Sequence, residues 1–233
     1  MSRFLSAATL AVALLFSSSV AASAQPATVF VTHGIPGAGG FPVDISVIGN
    51  GVDVCVPQVT FTQILGPVAL PAGTYAVAIY GGGSGCTGAP ALGPLSLSFA
   101  AGETAAVAAH LTAAGTPTAA KYPVDLSSAG PGAARVNVFH TAAAPEVDLV
   151  VARAFGRGQS PETRVNGIVN GANLSTPVRA GNWDVALLPT GGSTPAYGPV
   201  NVRVLPRTAY LVFAVGSLAD GSFTLAATAV PVR

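Results

Sequence analysis

Charge is scarce in this chain: Asp, Glu, Lys and Arg make up 8% of 233 residues, against 50% apolar residues. So little charge on so apolar a chain is wrong for disorder, whose sequences bury too little apolar surface to offset the entropy of folding. Neither sign is in excess once residues 1–24 are set aside, because nine basic residues then face nine acidic ones. The field that nucleic acid or an anionic membrane requires is therefore missing, and neither is expected as a partner. Long apolar runs are missing as well. After residue 24 no stretch approaches the roughly 20 residues that span a bilayer without meeting Gly, Pro or a charge, so no transmembrane segment is expected in the mature chain. Catalytic signatures are absent: Gly81–Gly85 lacks the Gly-Lys-Ser/Thr ending of a phosphate loop, and Ser84 lacks the second Gly of a nucleophile elbow because position 86 is Cys.

What the chain does have is 28 Gly and 19 Pro spread through short apolar stretches, which fits buried strands joined by many turns. Its first 24 residues have the form of a secretory signal: Arg3, an apolar core from Leu5 to Phe16, and Ala22-Ser-Ala24 before Gln25. The protein is thus expected to be secreted, extracellular or cell-surface associated. Some 209 residues remain, enough for two β domains of about 100 residues.

An internal duplication divides them. Arg135-Val-Asn-Val-Phe-His140, followed by Pro145-Glu-Val-Asp148-Leu-Val-Val151, repeats Thr28-Val-Phe-Val-Thr-His33, followed by Pro42-Val-Asp44-Ile-Ser-Val47. Downstream, Pro71-Ala-Gly73-Thr-Tyr75 matches Arg179-Ala-Gly181-Asn-Trp183, and Glu103-Thr104 matches Arg207-Thr208. His33 to His140, Asp44 to Asp148, Gly73 to Gly181 and Thr104 to Thr208 give offsets of 107, 104, 108 and 104 residues, so order and spacing are both kept. The expected organisation is residues 25–131 and 132–233 as two copies of one domain, joined through Ser127-Ser-Ala-Gly-Pro-Gly132.

Seven or so short strands per copy, with turn signals about every ten residues, predict an all-β fold of two tandem immunoglobulin-like antiparallel β-sandwiches. Residues 104–114 are Ala-rich and favour helix by propensity. Their match in the second copy, Thr208–Val215, is aromatic and β-branched, so both are read as buried strands. Tyr75 and Trp183 share one place and are read as core.

The strand, His, Pro loop, Val-Asp strand and Ala-Gly-(Thr/Asn)-aromatic pattern resembles the bacterial extracytoplasmic family known as domain of unknown function 4397. The resemblance implies a secreted β-sandwich-like module and brings no catalytic residues. His33-Gly-Ile-Pro36 is close to that family's His-x-Ser-Pro motif, whereas His140-Thr-Ala-Ala lacks the Pro.

Few residues are candidates for chemistry. Cys55 and Cys86, the only cysteines, are expected to pair in an oxidising compartment and to tether the Gly-rich loop; redox dithiols usually sit two residues apart. His33 with Asp44 and His140 with Asp148 are the recurrent polar pairs; the side chains of each pair could meet across its loop, and each Asp is expected to fix the crossing by accepting bonds from loop backbone groups or from the imidazole. His110 has no counterpart, the matched position being Ala214. A metal-assisted or acid/base hydrolase built on the His/Asp pairs is the second reading, but no third ligand and no recurrent nucleophile accompany them. No cofactor or metal site is read. The insert carrying Arg153, Phe155, Arg157 and Arg164 is the candidate recognition loop, since irregular loops on a rigid sandwich collect binding residues. The expected role is a non-catalytic binding, adhesive or envelope-associated module that uses loops rather than a buried pocket, with an extracellular or envelope partner that the residues do not name. The first half carries one basic and four acidic residues, 1 − 4 = −3, and the second eight Arg and five acidic residues, 8 − 5 = +3, so docking between the domains is a further expectation.

Overall fold

The structure, a computed structural model, describes residues 24–37, 42–155 and 163–232. Sixteen strands and no helix occur among them, in two runs of eight. The first run is β1 (Ala27–His33), β2 (Val43–Gly49), β3 (Val52–Val59), β4 (Ile64–Leu70), β5 (Gly73–Gly81), β6 (Leu92–Phe99), β7 (Thr104–Leu111) and β8 (Pro117–Pro123). The second is β9 (Ala133–His140), β10 (Val147–Ala152), β11 (Thr163–Ile168), β12 (Asn173–Arg179), β13 (Gly181–Pro189), β14 (Tyr197–Val204), β15 (Thr208–Val215) and β16 (Thr224–Pro231).

Each run folds into two four-stranded sheets of the same order. The first copy pairs β4-β1-β7-β8 and β3-β2-β5-β6; the second pairs β12-β9-β15-β16 and β11-β10-β13-β14. Pairing is antiparallel except for one parallel pair per copy, β1 with β7 and β9 with β15, so the sandwiches are not purely antiparallel. Local chemistry sets the turns. Asn50 and Gly51 both have positive φ, 48° and 79°, the geometry of a two-residue type I′ hairpin between β2 and β3. Gly93 and Gly198 sit at equivalent bulges, where an added Cβ would lie 2.7 Å from the Val77 carbonyl and 2.5 Å from that of Val185. Only glycine fits there.

Inside the first sandwich Val29, Ile45, Tyr75, Phe99 and Val107 pack together; inside the second, Val138, Leu149, Trp183 and Leu187 do so. The two large aromatics bury their rings and each spends its polar tip on a backbone carbonyl four residues upstream. Tyr75 donates to Pro71 at 2.6 Å and the Trp183 indole to Arg179 at 2.7 Å. The same corner is thus built twice with different side chains.

The copies meet through a third core. Phe30, Ala106, Ala108 and Tyr122 of the first pack with Phe139, Leu211, Phe213 and Val215 of the second. Small residues on β7 face large ones on β15, which explains why an Ala-rich segment is a strand: both of its faces are buried. The Tyr122 ring lies edge-on to Phe139 with centroids 5.8 Å apart, and Phe139 stacks on Phe213 at 4.3 Å. Backbone contact closes one end, where the Gly216 N–H donates to the Gly34 carbonyl at 3.1 Å and an added Cβ on Gly34 would lie 2.7 Å from Val215. Docking therefore rests on apolar sheet faces. The ion pair between Arg135 and Asp125, at 3.2 Å, is partly exposed to solvent. With one core shared between them, the copies are expected to unfold in a single calorimetric transition, whose calorimetric and van't Hoff enthalpies agree; two resolved transitions would overturn the point.

Candidate functional site

Both Asp side chains of the repeated Val-Asp motif are buried, and both are occupied by loop groups. Asp44 leaves β2 on the face opposite Val43 and Ile45, because successive side chains of a strand alternate. Its carboxylate accepts the Gln58 N–H at 2.9 Å, the Gly85 N–H at 2.8 Å and the Ser84 hydroxyl at 3.3 Å. Asp148 repeats the arrangement, accepting the Gly167 N–H at 2.9 Å, the Thr190 hydroxyl at 3.3 Å and the Arg164 guanidinium at 2.8 Å. In each copy the latch joins a bulge on one neighbouring strand, at Gln58 or Gly167, to the hairpin loop on the other side. Donors are available because a bulge leaves an N–H outside the ladder. The Gln58 N–H foremost holds the Asp44 carboxyl below the usual carboxylate range. For Asp148 burial pushes upward, and the Gly167 N–H together with Arg164 outweighs it, so its pKa is lowered as well.

Strand register explains how the second copy manages without cysteine. Ser46 pairs with Cys55 in the first copy and Val150 with Arg164 in the second, so Arg164 stands where Cys55 does. Cys55 is bonded to Cys86 in the Gly-rich loop, with Cα atoms 5.9 Å apart. The first copy ties its loop covalently from that position; in the second, Arg164 bonds Asp148 on β10, and the loop is tied to the same carboxylate through Thr190. Closing a loop of 31 residues is worth roughly 3–4 kcal/mol through the entropy of the unfolded chain. Cys55→Ala with Cys86→Ala is expected to lower stability by about that amount, read from urea unfolding as a lower midpoint with a larger m, because the unbridged unfolded chain is less compact.

The imidazoles do not meet the carboxylates. His33 and His140 share the parity of Val31 and Val138, so they point between their sheets while Asp44 and Asp148 point away from them. Both histidines are buried, and Nδ1 of each has no hydrogen-bond partner among the described residues. Nε2 of His140 donates to the Pro145 carbonyl at 3.0 Å. Of the two partners expected for each Asp, the structure has the backbone: Asp44 and Asp148 fix the crossing through loop N–H groups, and the His/Asp contact is not made. His110 lies at the seam, with Nδ1 3.0 Å from the Leu111 carbonyl and Nε2 3.0 Å from the Tyr122 hydroxyl. Register pairs His33 with Ala109 and His140 with Ala214, so the residue matching Ala214 is Ala109, one before His110. Burial lowers the pKa of all three histidines. Among the described residues no three His, Cys, Asp or Glu side chains gather closely enough to hold a metal ion.

The described residues of the candidate recognition loop are engaged with their own domain. The Arg153 guanidinium lies 4.3 Å from the centre of the Trp183 ring, the Phe155 N–H donates to Asp184 at 3.0 Å, and Arg164 is paired with Asp148. Arg157 lies outside the described residues. Reading from sequence missed the latch donors at Gln58 and Gly167. A glycine inside a strand signals a bulge and pointed to the second; nothing in the residue type pointed to the first.

A family model described as "Domain of unknown function (DUF4397)" matches residues 27–150. No curated protein matches the chain. Among solved structures, a leucine-rich repeat protein from Bacteroides thetaiotaomicron is 14% identical, with 82% of this chain and 26% of that one covered and a TM-score of 0.26. The Bacillus anthracis TIE protein is 9% identical, with coverages of 81% and 33% and a TM-score of 0.26. A family 26 carbohydrate-binding module from Eubacterium rectale, in complex with maltoheptaose, is 12% identical, with coverages of 84% and 95% and a TM-score of 0.29. The chain spans a quarter to a third of the length of the first two.

Proposed function

The chain belongs to the DUF4397 family, and from that premise we propose that it is a secreted, non-catalytic binding or adhesive module that works at the cell envelope or outside the cell. One observation carries the reading. The polar residues that recur in both copies are spent on structure, the carboxylates on loop N–H groups and the imidazoles inside the sandwiches. A general base must reach a proton on its substrate, and a carboxylate that orients it must touch the imidazole. Neither condition is met by His33 with Asp44 or by His140 with Asp148. What the latches do provide is rigid hairpin loops, and a loop already held in one shape loses less entropy when it binds. Supporting the compartment in this reading are the signal-like form of residues 1–24 and the pairing of the two cysteines. Among the described residues no helix is long and apolar enough to cross a membrane.

The test has two arms. Saturable binding to an isolated cell-envelope fraction is expected for the protein, and it is expected to fall at least tenfold when the 81–88 loop is replaced by the shorter 190–192 turn. Ester, glycoside and peptide substrates, with and without divalent ions, are expected to turn over no faster than in buffer. Turnover that His33→Gln and His140→Gln abolish would restore the hydrolase reading.

A further inference from the structure

We infer that the second sandwich takes the aliphatic chain of an amphiphile between its sheets, entering from the side where β14 and β16 form the edges. This goes beyond the loop-borne binding proposed above and uses a different part of the molecule.

A cavity of about 290 Å³ lies between the two sheets of the second copy. That is close to the lower end for small-molecule sites and about twice the size of an apolar cavity known to stay dry and take up benzene. Its walls are Val136, Val185, Val202, Val212, Leu225 and their like. Of the few polar groups, the Tyr210 hydroxyl is already occupied, accepting the Leu205 N–H at 2.9 Å and donating to the Arg203 carbonyl at 3.4 Å. The cavity asks its occupant for no hydrogen bond. Its lining runs along β14 from Tyr197 to Val204, a whole strand, or about 23 Å at 3.3 Å per residue, while two packed sheets stand only about 10 Å apart. A space that long and that narrow fits an extended alkyl chain better than a compact or fused-ring molecule.

The first copy shows what a closed version of this side looks like. Register makes Val200, Val202 and Val204 the counterparts of Leu95, Leu97 and Phe99, since Tyr75 pairs with Leu97 and Trp183 with Val202. By the same reasoning Ala227, opposite Val212, is the counterpart of Lys121, opposite Val107. In the first copy Lys121 straps the sandwich shut: its Nζ lies 5.2 Å from the centre of the Phe99 ring and bonds the Ser98 carbonyl and Glu103, each at 2.6 Å. The second copy replaces that ring and strap by Val204 and Ala227. Every change at these four positions removes volume. As a result Val136, Val185 and Val212, which point inward from central strands, are only half-buried. The first copy keeps a space of about 150 Å³ toward β3 and β4, half the volume and away from the side that Lys121 straps, so the opening between β14 and β16 is particular to the second.

Trp183, the only tryptophan, does not line the cavity but packs in the same core beside Val202, which does, so it reports occupancy from one side chain away. Titration of the protein with 9,10-dibromostearate below its critical micelle concentration is expected to quench Trp183 emission saturably, at one chain per protein. Vesicles carrying a dibrominated phosphatidylcholine form the second arm: quenching by the free acid identifies a monomeric amphiphile as the source, and quenching by vesicles alone identifies a membrane lipid. Val200→Leu with Val204→Phe restores the ring and much of the missing volume of the first copy, the Lys strap being left out because Arg207 stands where Glu103 does, and is expected to weaken quenching at least tenfold while leaving the melting temperature unchanged or raised. Should that variant misfold, Val202→Leu, which adds one methylene to the cavity wall, is expected to weaken quenching severalfold. Absence of saturable quenching in both arms, or equal quenching in a folded plugged variant, overturns the inference. Either result leaves the envelope-binding reading standing, because that reading is measured on the 81–88 loop.

Discussion

Truncation of Trp183 to Ala is expected to lower the stability of the whole protein by about 3–5 kcal/mol, the range for removing a large aromatic from a core. The ring is fully buried in one core with Val138, Leu149 and Leu187, which themselves line the incompletely filled space. Neighbouring valines cannot swing in to replace it, because their χ1 is stiff and they are fixed by their strands. Two smaller losses add to the cavity. The Arg179 carbonyl loses its indole donor at 2.7 Å, and the Arg153 guanidinium loses the ring face it lies over. Tyr75→Phe in the first copy isolates the hydrogen-bond part, since it removes only the hydroxyl that meets Pro71 at 2.6 Å; about 1 kcal/mol is expected. Because the copies share a core, the loss at Trp183 should appear in the single global transition. Urea unfolding followed by far-ultraviolet circular dichroism reads it without needing the tryptophan signal. A loss below about 1 kcal/mol would mean that the second sandwich contributes little to the shared fold.

The architecture was legible in the sequence because a duplication supplies its own control. Residues 104–114 alone favour helix, and only comparison with Thr208–Val215 turns them into the strand that the structure contains. Comparison by spacing has a limit, however, and the limit is one residue. Matching Thr104 with Thr208 keeps an offset of 104, whereas the parallel pairings of β1 with β7 and of β9 with β15 require 105. A slip of one residue in a strand reverses its faces. On the sequence match Val107 corresponds to Leu211; in the structure Val107 points into the first sandwich and Leu211 into the seam. For the same reason the seam itself escaped. With Val107 the one Val among the Ala residues of β7, neither face stands out as a contact surface, and only the large residues of β15 reveal that the face of Ala106 and Ala108 is buried too.

The site was legible to a smaller extent. Cysteine count and compartment were enough to pair Cys55 with Cys86, since two cysteines allow one bridge. The Asp residues were recognised as recurrent and structural, but their partners are main-chain N–H groups, which carry no residue-type signal. His and Asp were placed together because strand ends that adjoin in sequence look adjoining in space. Alternation decides otherwise, since His33 shares its parity with inward residues of β1 and Asp44 has the outward parity of β2. The cavity in the second copy was invisible for a related reason. Val200, Val202, Val204 and Ala227 are each ordinary strand residues, and the missing volume appears only when register sets them against Leu95, Leu97, Phe99 and Lys121.

Mild acid is expected to produce the other large effect, through the three buried histidines. His33, His110 and His140 have pKa values pushed below the ordinary imidazole value of 6.5, in each case first by burial. Hydrogen bonding shows why the neutral form is required. A carbonyl only accepts, so Nδ1 of His110 donates to Leu111, and Nε2 is left to accept from Tyr122. That hydroxyl, its own pKa pushed up to about 12 by burial, keeps its proton at any neutral or acid pH. Nε2 of His140 donates to Pro145, so its Nδ1 is the bare nitrogen; protonation would place an N–H in a buried site with no acceptor among the described residues. Proximity adds a second cost, because His110 and His140 repel when both are charged. The sign follows from proton uptake. Between pH 6.5 and the lower folded values the unfolded chain binds protons that the folded chain does not, so stability is complete above 6.5 and falls as pH drops. Each histidine contributes at most about 1.4 kcal/mol per pH unit, and the three together about 4. Asp44 and Asp148 have lowered pKa values, so their contribution persists through this window and is lost only below the ordinary carboxylate range, giving a second limb. Urea midpoints measured from pH 8 to pH 3 should therefore be flat down to about 6.5, fall below it, and lose the carboxylate contribution as well below about 4. His33→Gln or His140→Gln should remove about one third of the first slope and leave the second limb in place. A stability profile level between pH 7 and pH 5 would mean that the imidazoles take up protons without leaving the core, which their unpartnered nitrogens argue against.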